Sequence, residues 1–534
     1  MLGSSIADGL VIAIDVGTSG LKACLFSSSG RCVARSKRDW RSLLQLGSDH
    51  DHSQLVFHPS TLWPIVVETV GEAMEMAAQG MNTVPRIAAV CTTSQRQGIV
   101  MLDQNGTDFL GIPNVDSRAR HLAAILGDQL GERIYQVSGR WPGAVHPLCK
   151  LLWLKANNPD VFARVHKVLS LADWVAYKLT AQLATHPSLA CETGLFDVAR
   201  GRWSDELLGY ADIRRDLFPD PVWSTQVVGY LAPAFSMIPS SLAAQARTNS
   251  IPVFIGGADT QCGVLGAGAH RELSIAVVAG TSAPVQQITG EPVLDPGYRT
   301  ITNAFLIPDM WVLESNAMMT GLSWAWIHDL IKQLVVLLPG YDGSLSDNGL
   351  FQLMESAVSQ ASPGSNGIQS VLGTGIMDSR RGSISSMSGV LAPWSAISAG
   401  VVGPCELMRS VIEASGYAIR ANVDQLEDVI GADSQQPELF IGGGSIRSSA
   451  WTRIVADIIG RRVAVAQDPD ITALGSAMCS FVALGACDSL AQAARTMCRS
   501  ESLTADPAMH RRYDKPFEAW KSTLRDVRAL ACSQ

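Results

Sequence analysis

The chain has no run of apolar residues approaching the roughly 20 needed to cross a bilayer; even Leu330 to Leu338 is short and carries Lys332. Its first residues, MLGSSIADG, lack the basic start and apolar core of a secretory leader, so a soluble, cytoplasmic protein is the expectation. Basic charge is not in excess either. Forty-one Lys and Arg against 49 Asp and Glu give a net charge of −8, which speaks against a general binder of nucleic acid or of anionic membranes. The cysteines lack a paired spacing. Eleven are scattered singly, and Cys24, Cys91 and Cys479 fall in apolar or small-residue segments, a pattern of reduced, buried thiols rather than of a disulfide framework.

What the sequence does have is length and apolar content: 534 residues, 47% hydrophobic, are too many for one ordinary core and predict two large lobes. The first stretch, Leu10 to Gly30, sets the pattern. An apolar strand, Leu10 to Ile14, ends on Asp15, and the turn Gly17-Thr18-Ser19-Gly20 leads into a returning strand, Leu21 to Phe26. Glycines allow a sharp turn and bring N–H groups near a ligand, while the hydroxyls of Thr18 and Ser19 suit phosphate oxygens. Asp15 at the rim is placed to hold a hydrated Mg²⁺. The same residues also occur in plain turns, capping local backbone groups.

Further along, Cys32 to Trp40 reads as a third strand and Trp63 to Ala78 as an amphipathic helix. The polar run Ser48-Asp49-His50-Asp51-His52 is not read as a metal site, because alternating neighbours in a loop rarely converge on one ion. Ile87 to Thr92, a short buried strand, delivers Gln95 and Arg96 to its C-terminal end, where open α/β sheets bind ligands. Asp116 follows in a loop. Arg96 and Asp116 read either as an ordinary ion pair or as donor and acceptor for adjacent hydroxyls of a polyol. Pro147 to Leu154 opens a helix, Leu169 to Leu179 forms another, and Thr185 to Thr193 resembles a cleft-facing loop.

From Ile251 the pattern repeats. Pro252 to Ile255 is a strand, Gly256-Gly257 a turn, and Asp259 and Gln261 sit at the start of a helix rich in small residues. An Asp there serves as an N-cap in many helices. Ser274 to Ala279, Gly280-Thr281-Ser282 and Ala283 to Ile288 then rebuild the opening hairpin, which suggests a duplicated fold gripping one polyphosphate. Ser362 to Val390 is Gly- and Ser-rich and predicts a long loop. Glu438 to Ile441 is a strand running into Gly442-Gly443-Gly444-Ser445 and a helix; bare glycine backbone admits a flat base or ribose, and the helix N-terminus favours phosphate. Ala473 to Gly485, a helix of small residues, is expected to pack behind that loop.

DVGTSGLKA, PLCKLLWL, GGADTQCGVLGAG, VAGTSA and FIGGGSIRSSAWTRIVADIIG, in this order and spacing, resemble the FGGY carbohydrate kinases of the actin-like ATPase superfamily over nearly the whole chain. The resemblance implies an α/β fold of two actin-like (ribonuclease H-like) lobes, each a mixed five-stranded sheet flanked by helices, with a cleft between them. It places a substrate lobe at 1–255 and a nucleotide lobe at 256–534. It implies an enzyme that uses ATP and Mg²⁺, with Asp259 as catalytic base and Gln95, Arg96, Asp116, Asp259 and Gln261 around the substrate. Asp15 would hold the metal through water. Gly17, Thr18, Ser19, Gly280, Thr281 and Ser282 would hold phosphates, and Gly442, Gly443, Gly444 and Ser445 the adenosine. The acceptor would be a primary hydroxyl of a small sugar-like compound. One branch of the family, which SQRQGIV, NVDSRA and GGADTQ resemble, points to 4,5-dihydroxypentane-2,3-dione; a pentulose, erythritol or glycerol is the alternative, and a non-catalytic nucleotide switch the rival from another class. Ala258 in place of a third glycine and Val56-Phe57-His58 depart from the family pattern and bear on substrate identity. Oligomeric state is open, a homodimer included.

Overall fold

The computed structural model describes residues 9–18, 20–47, 53–232, 239–337, 339, 343–381, 388–431 and 437–532. Ser19 and the run from Ser48 to His52 lie outside the described residues.

The opening apolar run forms β1 (Leu10–Val16), buried at every position, and Leu21–Phe26 returns antiparallel as β2, with Asp15 opposite Lys22. The turn closes through the Gly17 N–H, which donates to the Gly20 carbonyl oxygen at 3.0 Å. Cys32–Arg38 adds antiparallel to β2 as β3, and its alternating exposure marks a half-solvated edge. On the other side of β1, Ile87–Ser94 (β4) and then Pro252–Ala258 (β5) run parallel, both almost entirely buried, as strands covered on two faces must be. The order is therefore β5-β4-β1-β2-β3, with the two-residue strand Gly229–Tyr230 at the β5 edge. Helix α1 (Pro59–Met81) buries Leu62, Trp63, Val66, Val70, Ala73, Met74 and Ala77, spaced at three and four, against this core. Helix α2 (Leu171–Thr180) starts in a capping box between Ser170 and Asp173.

The second sheet repeats that arrangement. β6 (Ile275–Val278) and β7 (Pro284–Thr289) form an antiparallel hairpin, β8 (Trp311–Asn316) follows beside β7, and β9 (Leu439–Gly442) and β10 (Val463–Ala466) extend β6 in parallel. Helices α4 (Pro404–Ile430) and α5 (Ser449–Ile459) pack on each other. A central hairpin with parallel strands outside its first strand is thus common to both sheets, as the duplication predicts. Among the described residues each sheet holds a common five strands, to which short edge strands such as Gly229–Tyr230 and Ser500–Leu503 add.

One compact unit comprises Met1–Glu272, Ile288–Leu313 and Asp470–Arg499; the other comprises Leu273–Gln287, Glu314–Pro469 and Ser500–Gln534. β5 runs on through Gly256 and Gly257, which form a bulged strand end and not the expected turn, and carries the chain directly into α3 (Asp259–Gly266). Helix α6 (Ile471–Ala483) packs against α3, so Asp259 belongs to the first unit. The small residues of α6 therefore pack on α3. Thr185 to Thr193 is likewise no open loop: Pro187–Cys191 is a short helix and every residue from Ala184 to Val198 is buried. The Ser362 to Val390 segment holds a 3₁₀ turn at Ser365–Gly367 and the strand Gln369–Ser370, paired with Val390–Leu391; 382–387 lie outside the described residues. No helix of the described residues is long and apolar enough to cross a membrane.

Candidate active site

Strand register brings the first cluster together. β1 and β4 run in parallel with Asp15 beside Thr93, and β5 runs parallel to β4 with Ala258 beside Ser94. Asp15, Gln95 and Asp259 consequently emerge at the same C-terminal end of three adjacent parallel strands, the end at which α/β sheets bind ligands.

Asp15 is 8% exposed and its Oδ1 has no hydrogen-bond partner. Burial raises its pKa to about 6, against the pull of Lys22 and with the added push of Asp470. Asp470 itself is neutralised, accepting from Lys22 Nζ at 3.0 Å and from Arg35 Nη1 at 2.6 Å. An uncompensated, buried carboxylate oxygen at a strand end suits a hydrated divalent cation. Among the described residues no group of three or more His, Cys, Asp or Glu side chains gathers around a metal position. Beyond Asp15, the Gly17 carbonyl oxygen accepts from Trp40 Nε1 at 3.0 Å and Thr18 Oγ1 accepts from Asn114 Nδ2 at 2.8 Å.

Asp259 is the first residue of α3, half-buried, and its carboxylate accepts from the Thr260 N–H at 2.8 Å. Burial raises its pKa to about 7; Arg96 pulls it down, while Asp15 and Glu192 push it further up. Both amide atoms of Gln95, a residue 1% exposed, are unpartnered, and so is Gln261 Nε2. Such groups are costly unless a ligand or water completes them. Gln95, Arg96, Asp259 and Asp15 therefore cluster as the motifs suggest.

Asp116 already has partners. It is fully buried, accepts from the Leu55 N–H at 2.7 Å and forms an ion pair with Arg118 at 2.9 Å, so its carboxylate ties down its own loop. Of the two readings of Arg96, the structure gives it a different acidic neighbour: Arg96 Nη1 lies 3.5 Å from Glu192 Oε1.

Glu192 was not legible as a site residue. Its Oε1 accepts from Arg140 Nη2 at 2.6 Å and from Asn303 Nδ2 at 2.7 Å, and Oε2 accepts from Gln97 Nε2. The only signal was an acid within the apolar stretch LACETGLF. Lys150 gave a similar one inside PLCKLLWL: fully buried, it donates to the Gln97 and Pro113 carbonyl oxygens at 2.8 Å each, and burial lowers its pKa to about 7.

In the second unit, β6 and β9 end side by side, Val278 opposite Gly442. The Ala279 N–H donates to the Gly442 carbonyl oxygen at 2.7 Å, and the Ser445 N–H donates to the Ala279 carbonyl oxygen at 3.0 Å. Gly443 adopts φ +107, and a Cβ there would stand 2.6 Å from the Ala279 carbonyl oxygen. The Gly442–Ser445 loop is thus joined to the Gly280-Thr281-Ser282 turn, which closes as the Gly280 N–H donates to the Ser282 carbonyl oxygen at 2.9 Å. Thr281 is exposed and no neighbour lies near the Cβ position of Gly444, which leaves both open to a ligand.

Residues 10–266 match the N-terminal domain, and residues 275–484 the C-terminal domain, of the FGGY family of carbohydrate kinases. The chain belongs to this family and is a carbohydrate kinase, with ATP as the family's phosphate donor. It is 28% identical over 530 residues to the autoinducer-2 kinase of Salmonella typhimurium, which covers 97% of this chain and 95% of that protein. A similar likeness, 28% over 528 residues, holds for an autoinducer-2 kinase of Escherichia coli, again with 97% and 95% covered. The fold is that of sugar kinases, an actin-like ATPase fold. The xylulose kinase from Rhodospirillum rubrum superposes with a TM-score of 0.77 at 22% identity (98% of this chain, 99% of that one), and the Plasmodium falciparum glycerol kinase with ADP with 0.76 at 16% (97% and 98%).

Proposed function

We propose that the protein transfers the γ-phosphoryl group of ATP to a primary hydroxyl of a small sugar-like acceptor, and that this acceptor is 4,5-dihydroxypentane-2,3-dione. The reaction rests on one observation above all: a carboxyl raised to about 7, on Asp259, stands at a strand end with Arg96 and the unpartnered Gln95 amide. Phosphoryl transfer needs positioning and charge neutralisation more than covalent help from the protein. Asp259 in its ionised form accepts the proton of the acceptor hydroxyl as that oxygen bonds to the γ-phosphorus and the bond from phosphorus to the ADP oxygen breaks. Gln95, Arg96 and Gln261 orient the acceptor. Asp116 acts through the loop it anchors. Gly17, Thr18 and Ser19, together with Gly280, Thr281 and Ser282, take the phosphates, and Gly442 to Ser445 the adenosine. A Mg²⁺ ion held through water by Asp15 supplies charge neutralisation at the phosphates when bound.

The acceptor is drawn from the likeness to autoinducer-2 kinases, and a pentulose or sugar alcohol is the alternative, because side chains that bind hydroxyls serve many carbon skeletons. ADP release, coupled to a spectroscopic readout, is measured over the dione, xylulose, ribulose, erythritol and glycerol. The dione is expected to give the highest kcat/KM. A higher value for a pentulose or polyol replaces it, and ADP release independent of every acceptor removes the kinase mechanism in favour of a nucleotide switch. The free and mostly buried cysteines support a reducing, cytoplasmic setting.

A further inference from the structure

The peptide that precedes Asp259 is gripped from two sides. From β4, Thr93 Oγ1 donates to the Gly257 carbonyl oxygen at 2.8 Å. From the other side, Ser188 Oγ accepts from the Ala258 N–H at 2.9 Å. Ser188 is fully buried at the start of the short helix Pro187–Cys191, and His186, also fully buried, is its N-cap.

The direction of these bonds follows from their geometry. The Ser188 N–H donates to His186 Nδ1 at 3.1 Å, so Nδ1 carries no proton. The Ser188 hydroxyl, 2.8 Å from the same nitrogen, must then donate to it, which leaves the Oγ lone pairs for Ala258. Burial lowers the His186 pKa to about 3, so the ring is neutral at working pH and the relay keeps one orientation. This is not a nucleophile with its base: the hydroxyl reaches no surface, and its lone pairs already serve the backbone.

Gly257 makes the close approach feasible. Its φ is +118, and a Cβ would stand 2.7 Å from Leu306 Cδ2, 2.8 Å from Ser188 Oγ and 3.1 Å from His186 Nδ1. The glycine lets the serine and histidine close onto the peptide, and the bulge after Ile255 turns the strand end at that point.

We propose that Ser188, oriented by His186 and opposed across the peptide by Thr93, is a positioning residue for phosphoryl transfer, fixing the direction in which Asp259 leaves β5. It touches no substrate. Its action is to hold a backbone whose small displacement moves the base out of reach of the attacking hydroxyl, and a misplacement of about 1 Å costs on the order of 100-fold in rate. This inference rests on the reading of Asp259 as the base.

Steady-state kinetics of three variants test it. Ser188→Ala removes the acceptor for the Ala258 N–H. His186→Phe removes the group that orients the hydroxyl, and His186→Asn keeps an acceptor at the same N-cap. Ser188→Ala and His186→Phe are expected to lower kcat by about 10- to 100-fold while KM for ATP stays within about twofold, and His186→Asn to restore most of kcat. The proposal is overturned by an unchanged kcat in Ser188→Ala and His186→Phe, by equal losses in the two histidine variants, or by a KM for ATP that rises in step with the loss of kcat. If Ser188→Ala does not fold, the histidine pair decides. Asp259→Asn separates this inference from its premise. An inactive Asp259→Asn beside an unaffected Ser188→Ala removes the positioning role alone; near-normal turnover in Asp259→Asn removes the base assignment and the positioning role with it.

Discussion

Gly475 and Cys262 bring the backbones of α6 and α3 into direct contact: a Cβ on Gly475 would stand 1.9 Å from the Cys262 carbonyl oxygen. Gly266 repeats the contact from the other helix, 1.9 Å from the Ile471 carbonyl oxygen. Neither neighbour is a side-chain end that can swing away. Gly475→Ala is therefore expected to destabilise the protein by about 3 kcal/mol or more, the upper range of overpacking, read as a lower denaturation midpoint. Because α3 carries Asp259, kcat should fall at temperatures where the variant is still folded. A midpoint and kcat equal to wild type would show that the helices part without cost.

The acid limb of kcat/KM reports the base. With Asp259 raised to about 7, activity should rise as pH climbs through about 7 and be lost below it, because only the ionised carboxylate accepts a proton. Arg96 pulls that pKa down, so Arg96→Gln should move the limb to higher pH as well as raise KM for the acceptor. A wild-type limb near pH 4 would show that the carboxyl of Asp259 is not raised in the working enzyme.

The same shift has a consequence for stability with the opposite sign to function. A buried carboxyl whose folded pKa lies above its unfolded one holds its proton more tightly in the fold. Its contribution to stability is greatest below the unfolded value of 3.8 and is lost as pH rises towards about 7. Asp259→Asn has no such loss. Its melting temperature should exceed that of wild type above pH 7, by several degrees, with the difference shrinking as pH falls towards 4, while turnover is abolished. Differential scanning calorimetry across that range checks the crossing.

Glu192 neutralises Arg140, a residue with no exposed surface. Glu192→Ala leaves that guanidinium buried without a counter-charge and should cost about 3–5 kcal/mol in chemical denaturation. It also removes the carboxylate beside Arg96, so KM for the acceptor should rise more than KM for ATP. Equal changes in the two KM values would assign Glu192 to packing alone.

Much of this was readable along the chain. The opening hairpin, its echo at β6 and β7, the strand before Gln95 and the strand before Gly442 all follow from apolar runs ended by glycine and hydroxyl residues, and local pattern suffices for them. Thr185 to Thr193 reads as a cleft-facing loop because it is rich in small and polar residues, yet all of it is buried. There His186 bonds Ser188 and Thr193 bonds the Ala190 carbonyl oxygen inside the core, so polarity says nothing of burial. Asp116 pairs with Arg118, two residues on, and accepts from the Leu55 N–H, contacts that the loop sequence does not disclose.

The sequence by itself determined the chemistry available at the turn from Asp15 to Gly20. It supplies a carboxylate and hydroxyls beside flexible backbone, repeated at Gly280 to Ser282 and completed by Gly442 to Ser445, and the spacing of these segments carries the family. Only the tertiary structure decided which groups meet. Parallel register among β1, β4 and β5 sets Asp15, Gln95 and Asp259 at one strand end, a relation between residues up to 244 apart that no local pattern encodes. Burial at that end, reinforced by Asp15 and Glu192 and opposed by Arg96, all brought in from separate segments, raises Asp259 to about 7, and the same folding places α6 behind α3. Residue type sets what a side chain can do; desolvation and neighbouring charge, which exist only once the chain has folded, set whether it does so near neutral pH.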